Sequence, residues 1–395
     1  MIRIAFVLAA LLPFAGLTEP IGVTANGDAR FKRAADVSRR ISEQFLSTDP
    51  TAYKPQGYRG GKAYGGGEII HYATVSLWVN ALECARFASD TNLESRLVEA
   101  FARCRSRPSV MNEMRHVDLS IVGAVPLEVA ILTGSAEDAK LGLRYADRQW
   151  SEPKDGYDWG DRWYDPIALS ERHAWWEKGY TPETRLWIDD MYMITVLQSQ
   201  AYRLTGDEKY IERAGREMCL YLERLQREDG LFNHSPSAPY AWGRGNGWMA
   251  AGMALNLKYL PEKSEWRGRI LDGYRKMMTA LVANQRKTGL WGQLVDDAAS
   301  WDETSGSAMF AFAIAEGLSH GWLNGIAERA KLESSVDRAF DALCGKLDEY
   351  GNLAGVCVGT GWKNDHGYYL SRGRCNGDPH GQAPLLWLCG ALMRP

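Results

Sequence analysis

The sequence predicts an all-α fold, an (α/α)6 barrel of alternating inner and outer helices, on three observations. Apolar positions recur at helical spacing almost throughout, strand signals are scarce, and the intervening loops carry Gly, Pro and Asp. The helices alternate between two kinds, one amphipathic and one apolar around nearly its whole circumference. Helix-ending Gly turns recur as Asp155-Gly156-Tyr157, Asp229-Gly230-Leu231, Thr288-Gly289-Leu290 and Tyr350-Gly351-Asn352, spaced by about 60 to 75 residues.

In chain order, about twelve helices are expected, over 29–47, 68–88, 92–105, 118–133, 135–149, 187–205, 207–228, 245–260, 263–287, 303–318, 325–347 and 380–392. Asp207 to Glu228 sets Ile211, Ala214, Met218, Tyr221, Leu222 and Leu225 on one stripe with charges opposite, as an outer helix should. Its predecessor, Trp187 to Leu204, carries Met191, Tyr192, Met193, Ile194, Val196, Leu197 and Ala201 on all sides and reads as an inner helix. The same contrast separates 118–133 from 135–149, 245–260 from 263–287 and 303–318 from 325–347. Two units share Gln226 and Gln285 before the Gly and an aromatic, Phe232 and Trp291, after it. Each unit is then a surface helix, a Gly C-cap, a polar loop and a buried helix. Six such units close a barrel, whereas a flat solenoid would leave the inner helices unburied on one side.

The 395 residues, 45% hydrophobic, suit one large domain or two modest ones and exclude disorder. With Lys+Arg 46 against Asp+Glu 49 and no basic stripe, nucleic acid is not an expected partner. Residues 1–25 read as a signal peptide, with Arg3 in the n-region, an apolar run from Ile4 to Ala15 and a cleavage site at Val23-Thr24-Ala25. The mature chain, 26–395, is then a single barrel domain, exported to the periplasm or secreted, as a monomer or homodimer. No further stretch is long and apolar enough for a membrane span. The seven Cys lack C-x-x-C or Cys/His spacing, so no metal is expected and most read as buried apolar residues. Cys357, Cys375 and Cys389 are near enough in sequence for one local disulfide. Of the 15 Trp, Trp78, Trp266 and Trp387 read as packing, whereas Trp163, Trp176, Trp187, Trp242, Trp248 and Trp291 read as lining one mouth.

The inner helices begin with polar residues: Asp118; Asp189 and Asp190; Arg244 and Asn246; Glu303, Thr304 and Ser305; and His380. Parallel inner helices would bring these to one mouth. An acid in a first turn is also a common cap, a reading that carries about half the weight for Asp118 and more for Glu303. Asp189 and Asp190 point about 100° apart, so one is expected to act and the other to support it. Arg244 and Trp248 are four apart on a helix, in Trp242-Gly243-Arg244-Gly245-Asn246-Gly247-Trp248, which suits a carboxylate and a ring plane of one ligand. Carboxylates for proton transfer, Trp for stacking and one Arg for an acidic group together suggest a sugar site.

Trp187-Ile188-Asp189-Asp190-Met191-Tyr192-Met193, Phe232-Asn233-His234, the Trp242 to Trp248 run, Gly289-Leu290-Trp291, Asp296-Asp297, Glu303-Thr304-Ser305 and Ser307-Ala308-Met309-Phe310 resemble the unsaturated uronyl hydrolases of glycoside hydrolase families 88 and 105. Order and approximate spacing agree over residues 110 to 325, and the chain is most similar to the unsaturated rhamnogalacturonyl hydrolase branch. The resemblance implies an (α/α)6-barrel catalytic domain without a cofactor. Its substrate is an oligosaccharide with a terminal 4,5-unsaturated uronic acid, cleaved by hydration of the C4=C5 bond. By the same resemblance Asp189 is the general acid and base, Asp118 the second essential carboxylate, and His234, Arg244 and Trp248 contact substrate. Roles are not assigned to Trp163, His173, Trp176 and Lys178 in the long loop over 150–186. Gly377-Asp378-Pro379-His380-Gly381 is Gly-rich as in the family but lacks its Gly-Gly run. Alternatives are a glucuronyl substrate from ulvan, arabinogalactan or glycosaminoglycan, a sugar epimerase or isomerase using His234 and His380, and a catalytically dead carbohydrate-binding barrel.

Overall fold

The computed structural model describes residues 25–53, 69–107, 111, 116–153, 167 and 169–394. The expected signal peptide, Trp163 and the Gly156 turn lie outside the described residues. In chain order the helices are α1 (Ala25–Leu46), α2 (Tyr72–Phe87), α3 (Thr91–Arg105), α4 (Val117–Ser120), α5 (Ala124–Thr133), α6 (Ala136–Arg148), α7 (Leu169–Glu177), α8 (Asp190–Thr205), α9 (Glu208–Leu225), α10 (Gly243–Tyr259), α11 (Arg267–Asn284), α12 (Thr304–Ser319), α13 (Arg329–Cys344), α14 (His366–Leu370) and α15 (Pro379–Met393). Two short antiparallel pairs join β1 (Trp291–Gly292) to β2 (Asp302–Glu303) and β3 (Val356–Cys357) to β4 (Arg374–Cys375).

Each expected helix is present, with ends shifted by a few residues. The one expected over 118–133 is broken into α4, a 3₁₀ turn at Ile121–Gly123, and α5. Pro126 explains the break, because it has no N–H to bond the carbonyl four residues before it. The short helices α7 and α14 carry too little periodicity to be anticipated.

The inner helices α2, α5, α8, α10, α12 and α15 each pack on the next, and α15 returns onto α2. That ring is closed, so the architecture is the (α/α)6 barrel and not a solenoid. Around it, α1 covers α15 and α2, α3 covers α2 and α5, α6 covers α5 and α8, and α9 covers α8 and α10. The outer layer is completed by α11 on α10 and α13 on α12.

The internal repeat has a physical basis in the outer layer. Gln226 Nε2 donates to the carbonyls of Gly230, at 3.1 Å, and of Gly273, at 2.8 Å, on the next outer helix. Gln285 does the same one unit later, to Gly289 and Ser335, both at 2.8 Å. The Gly of each turn lies against the neighbouring outer backbone, and a Cβ on Gly289, whose φ is +88°, would stand 2.5 Å from the Arg338 carbonyl. At Gly351 the neighbour is Arg40 of α1, so the same contact closes the barrel.

Trp78 and Trp387 are buried, as expected of packing residues. Trp291, expected at the mouth, is instead core: its Nε1 donates to the Leu281 carbonyl at 2.7 Å and its ring meets Phe310 edge-on. Trp266 stands at the N-terminal cap of α11 instead of within a helix. All seven cysteines are free and all but Cys344 are buried, so the local disulfide is not formed.

Gly289→Ala should lower stability by at least ~2 kcal/mol, from the left-handed backbone plus the carbonyl clash. Gly134→Ala, also left-handed at φ +73° but with open space around it, should cost only about 1 kcal/mol. Urea denaturation of both variants checks this; equal losses would show that the turn-to-helix contact is unimportant.

Candidate active site

The polar starts of the inner helices do meet at one end of the barrel. Asp118 lies in the first turn of α4, Asp189 immediately precedes α8, Arg244 lies in the first turn of α10, Glu303 caps α12, and Asp378 caps α15. A sixth, His71, caps α2 by accepting from the Ala73 N–H. Hydrogen bonds and ring contacts among these residues divide them into groups with different chemistry.

Arg185 organises the carboxylates. Its Nη2 donates to Asp118 Oδ1 at 3.0 Å and its Nε to Asp190 Oδ1 at 2.9 Å. Tyr221, from outer helix α9, donates to Asp190 Oδ2 at 2.6 Å, and its oxygen accepts from the main-chain N–H of Arg185 and of Leu186, at 3.3 and 3.1 Å. These bonds hold Leu186 at φ +53°, in the left-handed region where a branched side chain is strained. Three residues later the chain enters α8 with Asp189 and Asp190 diverging. Asp190 is saturated by its partners, although burial still raises its pKa against the pull of Arg185 and Tyr221.

Asp189 is the residue left over. It is 7% exposed, makes no cap hydrogen bond, and its Oδ1 has no partner among the described residues. Burial pushes its pKa up to about 8, against the Arg244 charge, with Asp190 and Asp118 adding to the rise. At neutral pH it is a carboxylic acid. At Asp118 burial also acts upward, but Arg185, His116 and His71 outweigh it and hold the group below its ordinary range. The site therefore pairs a protonated acid with an ionised one, the division of labour that acid–base chemistry needs.

His234 is brought beside this pair by its own carbonyl, which accepts from the Ile188 N–H at 3.2 Å, and by Asn246, which clamps Phe232 N–H and C=O, both at 2.9 Å. Its ring lies between Trp242, at 4.5 Å, and Trp187, at 5.6 Å. Nδ1 is 2.7 Å from Tyr369 Oη, and Nε2 has no partner among the described residues. Burial, with Arg244 nearby, lowers its pKa to about 3, so the imidazole is neutral.

Arg244 is fully buried and donates to the carbonyls of Cys357 and, at 3.0 Å, Val358, leaving Nε without a partner among the described residues. Its guanidinium lies 4.8 Å from the Trp242 ring. Trp248 is enclosed by Tyr192, Trp387 and Tyr72 and forms an aromatic floor. Glu303 behaves as a cap: it accepts from Ser305 N–H and Gly306 N–H, and from the Cys357 N–H at 3.0 Å, which fixes the strand whose carbonyls hold Arg244.

His380 belongs elsewhere. Its Nδ1 is 2.7 Å from Asp378, its Nε2 2.8 Å from Tyr72 Oη, and its ring neighbour is His71 at 5.2 Å. The structure thus places His380 beside His71 and gives His234 a different set of partners. Sequence reasoning missed Arg185, Tyr221, Tyr369, His71 and Asp378 as members of this assembly. No group of three His, Cys, Asp or Glu among the described residues could hold a metal.

The family model for Glycosyl Hydrolase Family 88 matches residues 71–394. The unsaturated 3S-rhamnoglycuronyl hydrolase of Alteromonas sp. (strain LOR) is 24% identical over 295 residues, covering 71% of this chain and 67% of that protein. Unsaturated rhamnogalacturonyl hydrolase YesR of Bacillus subtilis is 30% identical over 200 residues, 48% of this chain and 54% of that one. Among solved structures, a possible member of family 105 from Salmonella enterica serovar Paratyphi A superposes with a TM-score of 0.74 at 18% identity, covering 95% and 96% of the two chains. The unsaturated glucuronyl hydrolase of a Bacillus species gives 0.62 at 18% identity, covering 91% and 96%. These likenesses agree with the closed helical ring.

Because folding raises the Asp189 pKa above its unfolded value of about 3.9, the native state binds the extra proton, and this group's contribution to stability is lost as pH rises from about 4 to about 8. Asp189→Asn removes that loss. The melting temperature of the variant minus that of the parent should therefore increase from pH 4 to pH 8, and a pH-independent difference would contradict a protonated Asp189.

Proposed function

This chain belongs to glycosyl hydrolase family 88 and is a hydrolase, and we propose that it releases a 4,5-unsaturated uronic acid from the non-reducing end of lyase-generated oligosaccharides. The observation that carries the reading is Asp189, a buried acid kept protonated to about pH 8 with an oxygen left unpartnered among the described residues. An enol ether is hydrated by protonation of its electron-rich carbon, which requires a placed acid and water, not a metal.

In the proposed reaction Asp189 gives its proton to C4, and positive charge develops across C5 and the ring oxygen. Asp118, ionised and held by Arg185, lies among the charges that act on Asp189 and would stabilise that cation. Water adds at C5 and surrenders a proton to the Asp189 carboxylate, which restores the acid. The resulting C5 hemiketal opens, the hemiacetal left at C1 expels the next sugar, and the uronide departs as an open-chain keto acid. His234 Nε2 and Arg244 Nε, both buried and unpartnered among the described residues, would contact the uronate or glycosidic oxygens. Trp248 would underlie the ring as part of the floor.

Both curated relatives named above have rhamnose in the names of their activities, which supports rhamnose as the sugar next to the uronide, with unsaturated rhamnogalacturonyl disaccharides from pectin as the first substrates to try. Residues 1–25 fit export, placing the enzyme in the periplasm or outside the cell, where lyase products arise.

Incubation with lyase-generated disaccharides should abolish the ultraviolet absorbance of the conjugated double bond; absorbance retained with every such product would refute the proposal. Asp189→Asn should lower kcat/KM by roughly 10²- to 10⁴-fold with an unchanged circular dichroism spectrum. Activity of the parent enzyme should fall as pH passes about 8, where Asp189 loses its proton. A profile still rising there would assign the acid to another group, Asp190 first.

A further inference from the structure

His234 is neutral and buried, so its chemistry depends on which nitrogen carries the single proton. The answer lies in α14, outside the inner helices. Tyr369 is fully buried in a small core with Trp242 and Leu294. Its own carbonyl accepts from Gln293 Nε2 at 3.2 Å, and the next carbonyl, of Leu370, accepts from Trp301 Nε1 at 3.2 Å. The main chain that carries the phenol is therefore anchored twice, and the phenol oxygen stands 2.7 Å from His234 Nδ1.

The Lys363 N–H donates to the same oxygen at 3.3 Å. Burial pushes the Tyr369 pKa up, so the phenol keeps its hydrogen. If Nδ1 carried the imidazole proton, the phenol hydrogen would be buried with no acceptor among the described residues, an arrangement that folded proteins avoid. If the phenol donates to Nδ1, the phenol hydrogen and the Lys363 N–H are both matched, and Nε2 carries the imidazole hydrogen, which then awaits an acceptor from a ligand.

We infer that Tyr369 is a positioning residue that fixes His234 as the Nε2–H tautomer, leaving a neutral donor for an oxygen of the bound terminal sugar. The identity of that oxygen rests on the uronide reading above; the tautomer does not. A neutral donor suits an anionic terminal sugar beside Asp189, because it adds a hydrogen bond without a second cation that would drain the acid of its proton. It also keeps the donor constant over the pH range in which Asp189 is protonated.

The test uses full-length protein with ¹⁵N-labelled histidine, the His234 signals being identified by their loss in His234→Gln. In the parent protein Nδ1 should be unprotonated and Nε2 protonated, unchanged between about pH 5 and 8; the opposite tautomer would overturn the inference. Tyr369→Phe should shift His234 toward a mixture of tautomers and lower kcat/KM on an unsaturated uronyl disaccharide roughly ten- to hundredfold. A glutamine at 234 can present its own amide N–H in place of Nε2–H without help from the phenol. In the His234→Gln background, Tyr369→Phe should therefore cost at most about twofold, and an equal loss in both backgrounds would reduce Tyr369 to a packing residue. Inactivity of the parent enzyme on every unsaturated uronide would refute the preceding functional reading and leave the labelling result standing.

Discussion

Asp118, Asp189 and Asp190 lie together at the mouth of this barrel with Arg185 placed between two of them, and the properties of the site follow from that shortage. Arg185 hydrogen-bonds Asp118 and Asp190, so the third, Asp189, is buried without a counter-ion in contact. A buried carboxylate in that position takes up a proton more cheaply than it holds a charge. Arg244 opposes this from a distance, but its terminal nitrogens are engaged by the carbonyls of Cys357 and Val358. The acid is produced by withholding a partner, and the partner is withheld by geometry: Arg185 is pinned by Tyr221 through a strained Leu186 immediately before α8.

The closed ring makes that geometry reproducible. Each inner helix starts at the same end, so six N-termini with their partial positive charge face one small volume. The chain as a whole is slightly acidic, at −3, yet the mouth combines those helix ends with Arg185 and Arg244. Recognition of an acidic sugar therefore needs no basic surface. Trp248, Tyr192 and Trp387 pack ring on ring within the barrel, and an apolar core of this kind strengthens the electrostatic interactions beside it.

Much of this was legible in the sequence because it repeats or is periodic. The inner and outer helices differ in how far around the circumference apolar residues run, and that pattern survives in a single sequence. Glu303 as a cap and the divergence of Asp189 and Asp190 follow from helix geometry alone, whereas which of the two acts is implied only by the resemblance. What escaped has a common physical reason. Arg185 sits in a loop of no fixed period, Tyr369 in a five-residue helix, and Tyr221 on the buried stripe of an outer helix, where a tyrosine is indistinguishable from packing until its hydroxyl is seen. Trp291 was misplaced for the converse reason: it follows a Gly turn as a mouth residue might, but the β1–β2 pair turns it inward onto Phe310.

The distribution of local cost separates the two layers. In the outer layer the Gln226 and Gln285 clamps satisfy their carbonyls, and the positive-φ turns at Gly230, Gly289 and Gly351 are occupied by glycine, so these repeats carry little strain. At the mouth the reverse holds. Leu186 takes a left-handed conformation worth of order 1–3 kcal/mol, and Asp189 Oδ1, His234 Nε2, Arg244 Nε and Trp242 Nε1 are buried without partners among the described residues. Atoms without partners also occur elsewhere in the barrel, but at the mouth four of them belong to one acid–base site. A ligand rich in oxygen acceptors would satisfy the three donors among them, as the sugar site proposed above requires.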